Sequence, residues 1–492
     1  MAPLLSAQPL TNQQVTAWEE DIDVMLSKLW QTYPEADDQL DRAQIEQAAE
    51  ELKAGLSRLS HEEVIIRLQA LLALTGEGSN SIYAFQGKLL YDMLPLKAYW
   101  FADGLYVCDA AAPYEELVGQ QIKRVNKVLV DSLWAHLKEL LPGDNDQQKR
   151  GAATYYWQIA PWLAYLTGTE MGADVTLTLD KGELQVPFRP YTEYLALNRG
   201  LPSYRGLQAS GSSYAEENYW MEYLAEQRTL FVQFLAIRDN ANGPNFKAFV
   251  QQIEQRLTSG TVDKVVIDNR YGGGGNGFKL KPLTNLLREN EQINQRGKLF
   301  VLTGRGTRGT VQELTSILEL NTKAILVGEP TGEGPNSVGD IKVVSLPNSG
   351  IDVLLVHTFW PTSWPEDSRM TISPEIGLDY AWSDFAAKVD PWLEAALAYT
   401  EEPVAPANVS WRPKTGKYTS GKYTVTIEED NGHFYLNLKR KMKSFFELHT
   451  ELHPAAGDRY NTDITDVFLE RAATGGESLL LQWKGVSIEL MP

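Results

Sequence analysis

The chain has 492 residues, 43 % of them hydrophobic and 22 % charged, and 64 Asp and Glu against 45 Lys and Arg leave a net charge of −19. That length holds roughly two to four domains with sizeable cores, and the negative balance argues against nucleic acid and against anionic membrane surfaces as partners. Cys108 is the only cysteine, which excludes an intrachain disulfide and a cysteine-based metal site.

Taken in order, the first ten residues, MAPLLSAQPL, lack the basic start and apolar length of a signal peptide. No apolar run reaches the roughly 18 residues a membrane-spanning helix needs. Residues 12–75 read as helices: Val15, Trp18, Ile22, Met25 and Leu29 recur at helical spacing, and Ser60 with Glu63 caps a further amphipathic stretch over 61–76. This is a packing stripe. Residues 88–110, the alternating strand QIKRVNKV (121–128), an aromatic-rich helix over 154–166 and the stretch DVTLTLDKGELQVPF (174–188) predict a small α/β or mostly β module. The polar, Gly/Ser-rich stretch 200–218 reads as a linker or loop.

The centre of the chain is 262–332. VDKVVIDNRYGGGGNGF (262–278) is a β-branched run followed by Asp268, Arg270 and four consecutive glycines. A helix over 280–290, a buried strand over 298–306, a helix over 307–322 and a third strand at 324–328 follow, ending in the turn EPTGEGPN (329–336). Such alternation implies an α/β core with parallel pairing. The glycine run matches neither G-x-G-x-x-G nor G-x-x-x-x-G-K-[ST], so nucleotide binding is disfavoured. Adjacent glycines expose backbone N–H groups, which suits an oxyanion hole or a close backbone approach; a plain strained turn reads equally well.

Beyond the core, residues 341–360 predict a hairpin turning at PNSG, 361–380 a loop-rich stretch, and DPWLEAALAY (390–399) hides a short closing helix opened by Asp-Pro. A Pro-rich linker (401–414) leads to strict alternation from 415 onward, with a DNG turn between two strands. This predicts a separate antiparallel β domain of sandwich or barrel type.

The order of IDNRYGGGGN (267–276), VGEPTGEGPN (327–336), LPNSG (346–350) and RMTISPEIGL (369–378) resembles the tail-specific, or C-terminal-processing, serine peptidases and the tricorn core. The resemblance covers roughly residues 12–400 and implies four parts: an N-terminal helical region (1–85), a PDZ-like module with an insertion (86–200), a crotonase/ClpP-like core of ββα units (201–402), and, outside the resemblance, a C-terminal β sandwich or barrel (403–492). A PDZ-like module takes up a peptide as an added strand. The resemblance leaves the compartment open, with an exported or periplasmic protein compatible with it.

The chemistry transfers less well. The family's nucleophilic serine falls on Thr310, with Glu313 three residues on. The N–H groups of Val311 and Gly273, with Gly274 beside them, would line the oxyanion hole at a helix N-terminus. Tricorn-like members carry a basic histidine where this sequence has Ser79, within GEGSN (76–80); the bacterial branch uses a lysine where the 329–336 turn has only Glu333. A hydroxyl at neutral pH is a poor nucleophile without a base. His357 is the one histidine of the core, most simply a strand residue, and His449/His453 share a β face without implying a metal site. Asp268 and Arg270 read as a structural pair, and Trp360, Trp364 and Trp382 as core or cleft lining. The sequence therefore predicts a peptidase-like fold without the usual base, no cofactor or metal, and a retained cleft for a polypeptide or small molecule. The alternative is an active hydrolase using Thr310 with another base, or the fold reused for different chemistry.

Overall fold

The structure is a computed structural model that describes residues 8–82, 89–197, 217–364, 367–400, 409–421, 423–440, 447–464, 466–472 and 478–492. The expected domain boundaries near 85, 200 and 402, most of the 200–218 stretch and the start of the Pro-rich linker lie outside the described residues.

Helices Asn12–Thr32, Arg42–Gly55 and His61–Ala73, with the single turn Ala36–Gln39 between the first two, come first among the described residues. Thr11 with Gln14 and Ser60 with Glu63 each close a capping box, satisfying donors that a helix start leaves free. Trp18, Ile22, Met25 and Leu29 are buried, as their spacing requires. Their core continues into Val344, Leu346, Ile351, Val353 and Leu355, on a hairpin of strands Ser337–Ser345 and Asp352–Trp360 that belongs to the central part of the chain. The hairpin turn is held from the first helix: the buried Asp21 carboxylate accepts the Asn348 N–H at 2.9 Å and the Ser349 N–H at 2.8 Å.

The next part is an antiparallel sheet of Leu96–Phe101, Gly104–Ala110, Gln121–Val125, Val175–Leu179 and Gly182–Val186. Helices Val130–Leu140, Asp146–Tyr156 and Ala160–Thr167 are inserted between its third and fourth strands. The single helix expected over 154–166 is therefore two, because Pro161 cannot donate a backbone hydrogen bond and starts a new helix at its first turn.

The central sheet runs β1 (Tyr219–Leu224), β2 (Thr229–Phe234), β3 (Lys264–Asp268), β4 (Leu299–Thr303), β5 (Ile325–Gly328) and β6 (Ile376–Gly377), each beside the next. All pairs are parallel except the β1–β2 hairpin. Helices α1 (Phe246–Thr258), α2 (Lys281–Glu289) and α3 (Gly309–Asn321) fill the crossovers, and α4 (Pro391–Ala398) closes this part. Val265, Val266, Ile267 and Leu299 to Leu302 are all fully buried, since helices cover one face and α4 with Tyr99 and Phe101 of the antiparallel sheet cover the other.

The last part is an eight-stranded antiparallel meander from Gly416–Ser420 to Val486–Leu490. A bridge between Thr419 and Met491 joins its first and last strands, so the sheet is a nearly closed barrel, and Val425, Leu436, Leu438, Leu469 and Leu481 fill it. Trp364 reaches into it from the central part, stacking on Tyr423 at 4.0 Å between ring centroids. Glu319 of α3 accepts Arg369 at 3.0 Å and Lys484 of the barrel at 2.6 Å.

Candidate functional site

β3 ends at Asp268, and the chain leaves the sheet through Asn269, Arg270 and Tyr271 into the glycine run. Arg270 is buried and forks between two carboxylates, donating to Asp268 at 2.8 and 2.7 Å and to Asp390 at 2.8 and 2.8 Å. Asp390 also caps α4, so one guanidinium ties the loop to the closing helix. The structural reading of Asp268 and Arg270 holds.

Gly272 and Gly309 are there for contact. A Cβ on Gly272 would stand 2.4 Å from Val311 Cγ1 and 2.7 Å from the Phe234 carbonyl oxygen. Gly309, at φ +55°, would place a Cβ 3.0 Å from the Gly274 backbone. The loop therefore lies directly on the first turn of α3, where Gly309, Thr310 and Val311 begin the helix. The Gly272 carbonyl accepts the Arg308 N–H at 2.9 Å. The expected oxyanion pair is altered, because the Gly273 N–H is given to the Leu235 carbonyl at 2.9 Å. Gly274 and Val311 remain beside the helix start, and Val311 lies among the amides that such a start leaves without an intrahelical partner.

Thr310 is 6 % exposed, and among the described residues its hydroxyl makes no hydrogen bond. What stands beside it is acidic. Glu333, from the turn after β5, is buried and its Oε2 accepts the Gly309 N–H at 2.6 Å. The turn carrying Ser79 brings a second carboxylate: Glu77 is buried and its Oε1 accepts the Ser79 N–H at 3.2 Å. Asp144, from the loop before the inserted helix Asp146–Tyr156, accepts the Gly78 N–H at 2.9 Å. Its neighbour Asn145 donates to the carbonyls of Thr331 at 3.1 Å and Met370 at 2.6 Å, which ties that loop to the Glu333 turn. Asn80 is a structural link, accepting the Val356 N–H at 2.9 Å.

Three carboxylates from three parts of the fold thus lie within electrostatic reach of one another, and one of them, Glu333, meets the start of α3. Burial pushes each up from the ordinary carboxylate range, and mutual repulsion adds to it for Glu77 and Asp144. Asp144 is raised to about 8 by burial and by Glu333, against the opposing pull of the Gly78 N–H and Arg308. Glu333 is raised by burial, with the Gly309 N–H and Arg308 opposing. Glu313, one turn into α3, is raised to about 7 by burial, Asp340 and Glu333.

The other candidates do not join this site. His357 is exposed and bonds its neighbour Thr358 at 3.0 Å. His453 Nε2 meets Asp463 at 3.0 Å and His449 turns to Asn437, so the two have different partners. Among the described residues no group of three His, Cys, Asp or Glu is placed to hold a metal ion. Trp364 belongs to the barrel core, Trp382 stacks on Tyr106 at 5.1 Å, and Trp360 meets the exposed Phe278 at 6.1 Å; they line no common cleft. Sequence reasoning missed Glu77 and Asp144, because nothing in a loop some 66 residues away marks a carboxylate as the partner of Gly78.

Neither a family model nor a curated protein sequence matches the chain. Solved structures do. The crystal structure of the CPAF s499a mutant superposes with a TM-score of 0.55 at 13 % identity, over 79 % of this chain and all of that one. Mature CPAF complexed with lactacystin gives 0.54 at 14 % identity, over 77 % of this chain and 97 % of that one. The photosystem II D1 C-terminal processing protease overlaps at 14 % identity over 75 % of this chain and 94 % of that one, with a TM-score of only 0.36. The fold is similar to that of the CPAF structures. No helix among the described residues is long and apolar enough to cross a membrane.

Proposed function

We propose that the protein is a polypeptide-binding homologue of the tail-specific peptidases that does not perform their hydrolysis. Its antiparallel sheet module is read as PDZ-like and its central sheet as crotonase-like. The observation that carries this reading is Glu333 on the Gly309 N–H. In an acyl-transfer enzyme the start of such a helix stabilises negative charge that develops on the substrate. Here the chain's own carboxylate takes one donor of that start, the Gly309 N–H, and further acids near it disfavour a second anion. Thr310 is 6 % exposed, and its hydroxyl has no hydrogen-bonded base among the described residues to take its proton.

Incubated with unfolded casein or with peptides ending in apolar residues at neutral pH, the protein is expected to leave them intact while retaining them in a pull-down. Cleavage that disappears in Thr310→Ala would overturn the reading in favour of a hydrolase whose base is one of the neighbouring carboxylates.

A further inference from the structure

The two strands of the hairpin have different surroundings. Asp352–Trp360 pairs with Ser337–Ser345 on one side and with Ser81–Ile82 on the other. Ser337–Ser345 has no strand on its outer side among the described residues. That edge carries apolar side chains into solvent: Ile341 is 51 % and Val343 56 % exposed, while Val344 between the strand's exposed residues is buried against the N-terminal helices.

The phase of the ladder decides which backbone groups the edge offers. The Leu346 N–H is given to the Ile351 carbonyl at 2.8 Å. The Val356 N–H, opposite Ile341, turns away to Asn80 Oδ1 at 2.9 Å. In an antiparallel ladder this alternation points the N–H and C=O groups of Ile341 and Val343 outward. An edge of that kind is a template for another strand.

The charges say which strand. Asp340 and Lys342 flank Ile341, both are exposed, and neither makes an ion pair among the described residues. Asp340 takes φ +54°, yet the register with Asp352–Trp360 is the same on both sides of it. A second copy laid antiparallel about a twofold axis could centre on Ile341, Lys342 or Val343. Centring on Lys342 opposes like charges, and centring on Val343 sets Asp340 and Lys342 against apolar residues. Centring on Ile341 lets its outward N–H and C=O meet those of its own copy and brings Asp340 opposite Lys342 twice.

We propose that Ser337–Ser345 is a homodimer edge, where two copies of the chain join their hairpins antiparallel about Ile341, with Asp340 of each beside Lys342 of the other. Two three-stranded sheets then become one sheet of six. The net charge of −19 repels copies in general, so the two ion pairs select this edge and this register.

The test is sedimentation velocity of the full chain from about 1 to 300 µM, the range of weak interfaces. Expected is a concentration-dependent species of twice the chain mass. Val343→Pro removes an outward N–H that the hairpin itself does not use. Asp340→Lys and Lys342→Asp each set like charges across the edge. Each of the three should weaken dimerisation roughly tenfold. Mixing Asp340→Lys with Lys342→Asp restores opposite signs and should recover the wild-type dimer level. Circular dichroism checks that each variant is folded, and the charge variants carry the test if the proline variant is not. A chain that stays monomeric over the whole range overturns the proposal and leaves the edge to a strand of another protein. A dimer that these changes leave intact, or that mixing does not recover, overturns it too.

Discussion

At the scale of single residues, the site is governed by close backbone approach and by buried charge. Gly272 lies against Val311 and Phe234, and Gly309 against Gly274, so Gly272→Ala and Gly309→Ala should each cost roughly 1–3 kcal/mol in urea unfolding. Nothing lies within 4 Å of a Cβ on Gly274, and Gly274→Ala should stay near wild type. That contrast separates contact from flexibility as the reason for the glycines. Arg270 gives a larger effect. Arg270→Ala leaves Asp268 and Asp390 buried without their cation, a loss of about 3–5 kcal/mol. A melting curve close to wild type would show that the fork contributes little.

At the scale of elements, the hairpin Ser337–Ser345/Asp352–Trp360 is shared: its strands follow the central sheet in sequence but pack on the N-terminal helices. Its turn depends on Asp21, which meets two backbone donors. Asp21→Ala should cost about 2–3 kcal/mol and raise amide exchange at Asn348 and Ser349 before the rest of the core. Uniform exchange across the chain would contradict this. The hairpin itself was legible from PNSG between two apolar runs, and so were the alternating strands of the barrel. The break at Pro161 was misread because aromatic residues on both sides continue the apolar pattern.

At the scale of the whole molecule, the acidic junction couples three parts of the fold to pH. Glu77, Asp144 and Glu333 hold protons more tightly in the native state than in the unfolded chain. Their contribution is therefore fully present below the unfolded carboxylate range, near pH 4, and is lost as pH rises toward about 8, the value for Asp144. Acids depressed by cations, such as Glu319 beside Lys484 and Arg369, act in the opposite direction at the acid end. The difference between wild type and Asp144→Asn isolates the junction: the variant's urea midpoint should fall less between pH 5 and about 9. Parallel profiles for the two proteins would show that Asp144 is ionised in the native state throughout.

Local pattern in the chain was enough for the element types, for the α/β core around the glycine run, for the Asp268–Arg270 pair and for Thr310 at a helix start beside that run. Periodicity, capping residues and glycine spacing are properties of neighbours in sequence, so they can be read without a fold. The arrangement of the acids could not be. Glu77, Asp144 and Glu333 sit on three separate turns, and only long-range packing, with Asn145 bonded to the 331 and 370 carbonyls, brings them near one another. The commitment of the Gly273 N–H to Leu235 was hidden for the same reason: a hydrogen bond between distant backbones depends on how the sheet and loop are stacked, which no stretch of residues encodes alone.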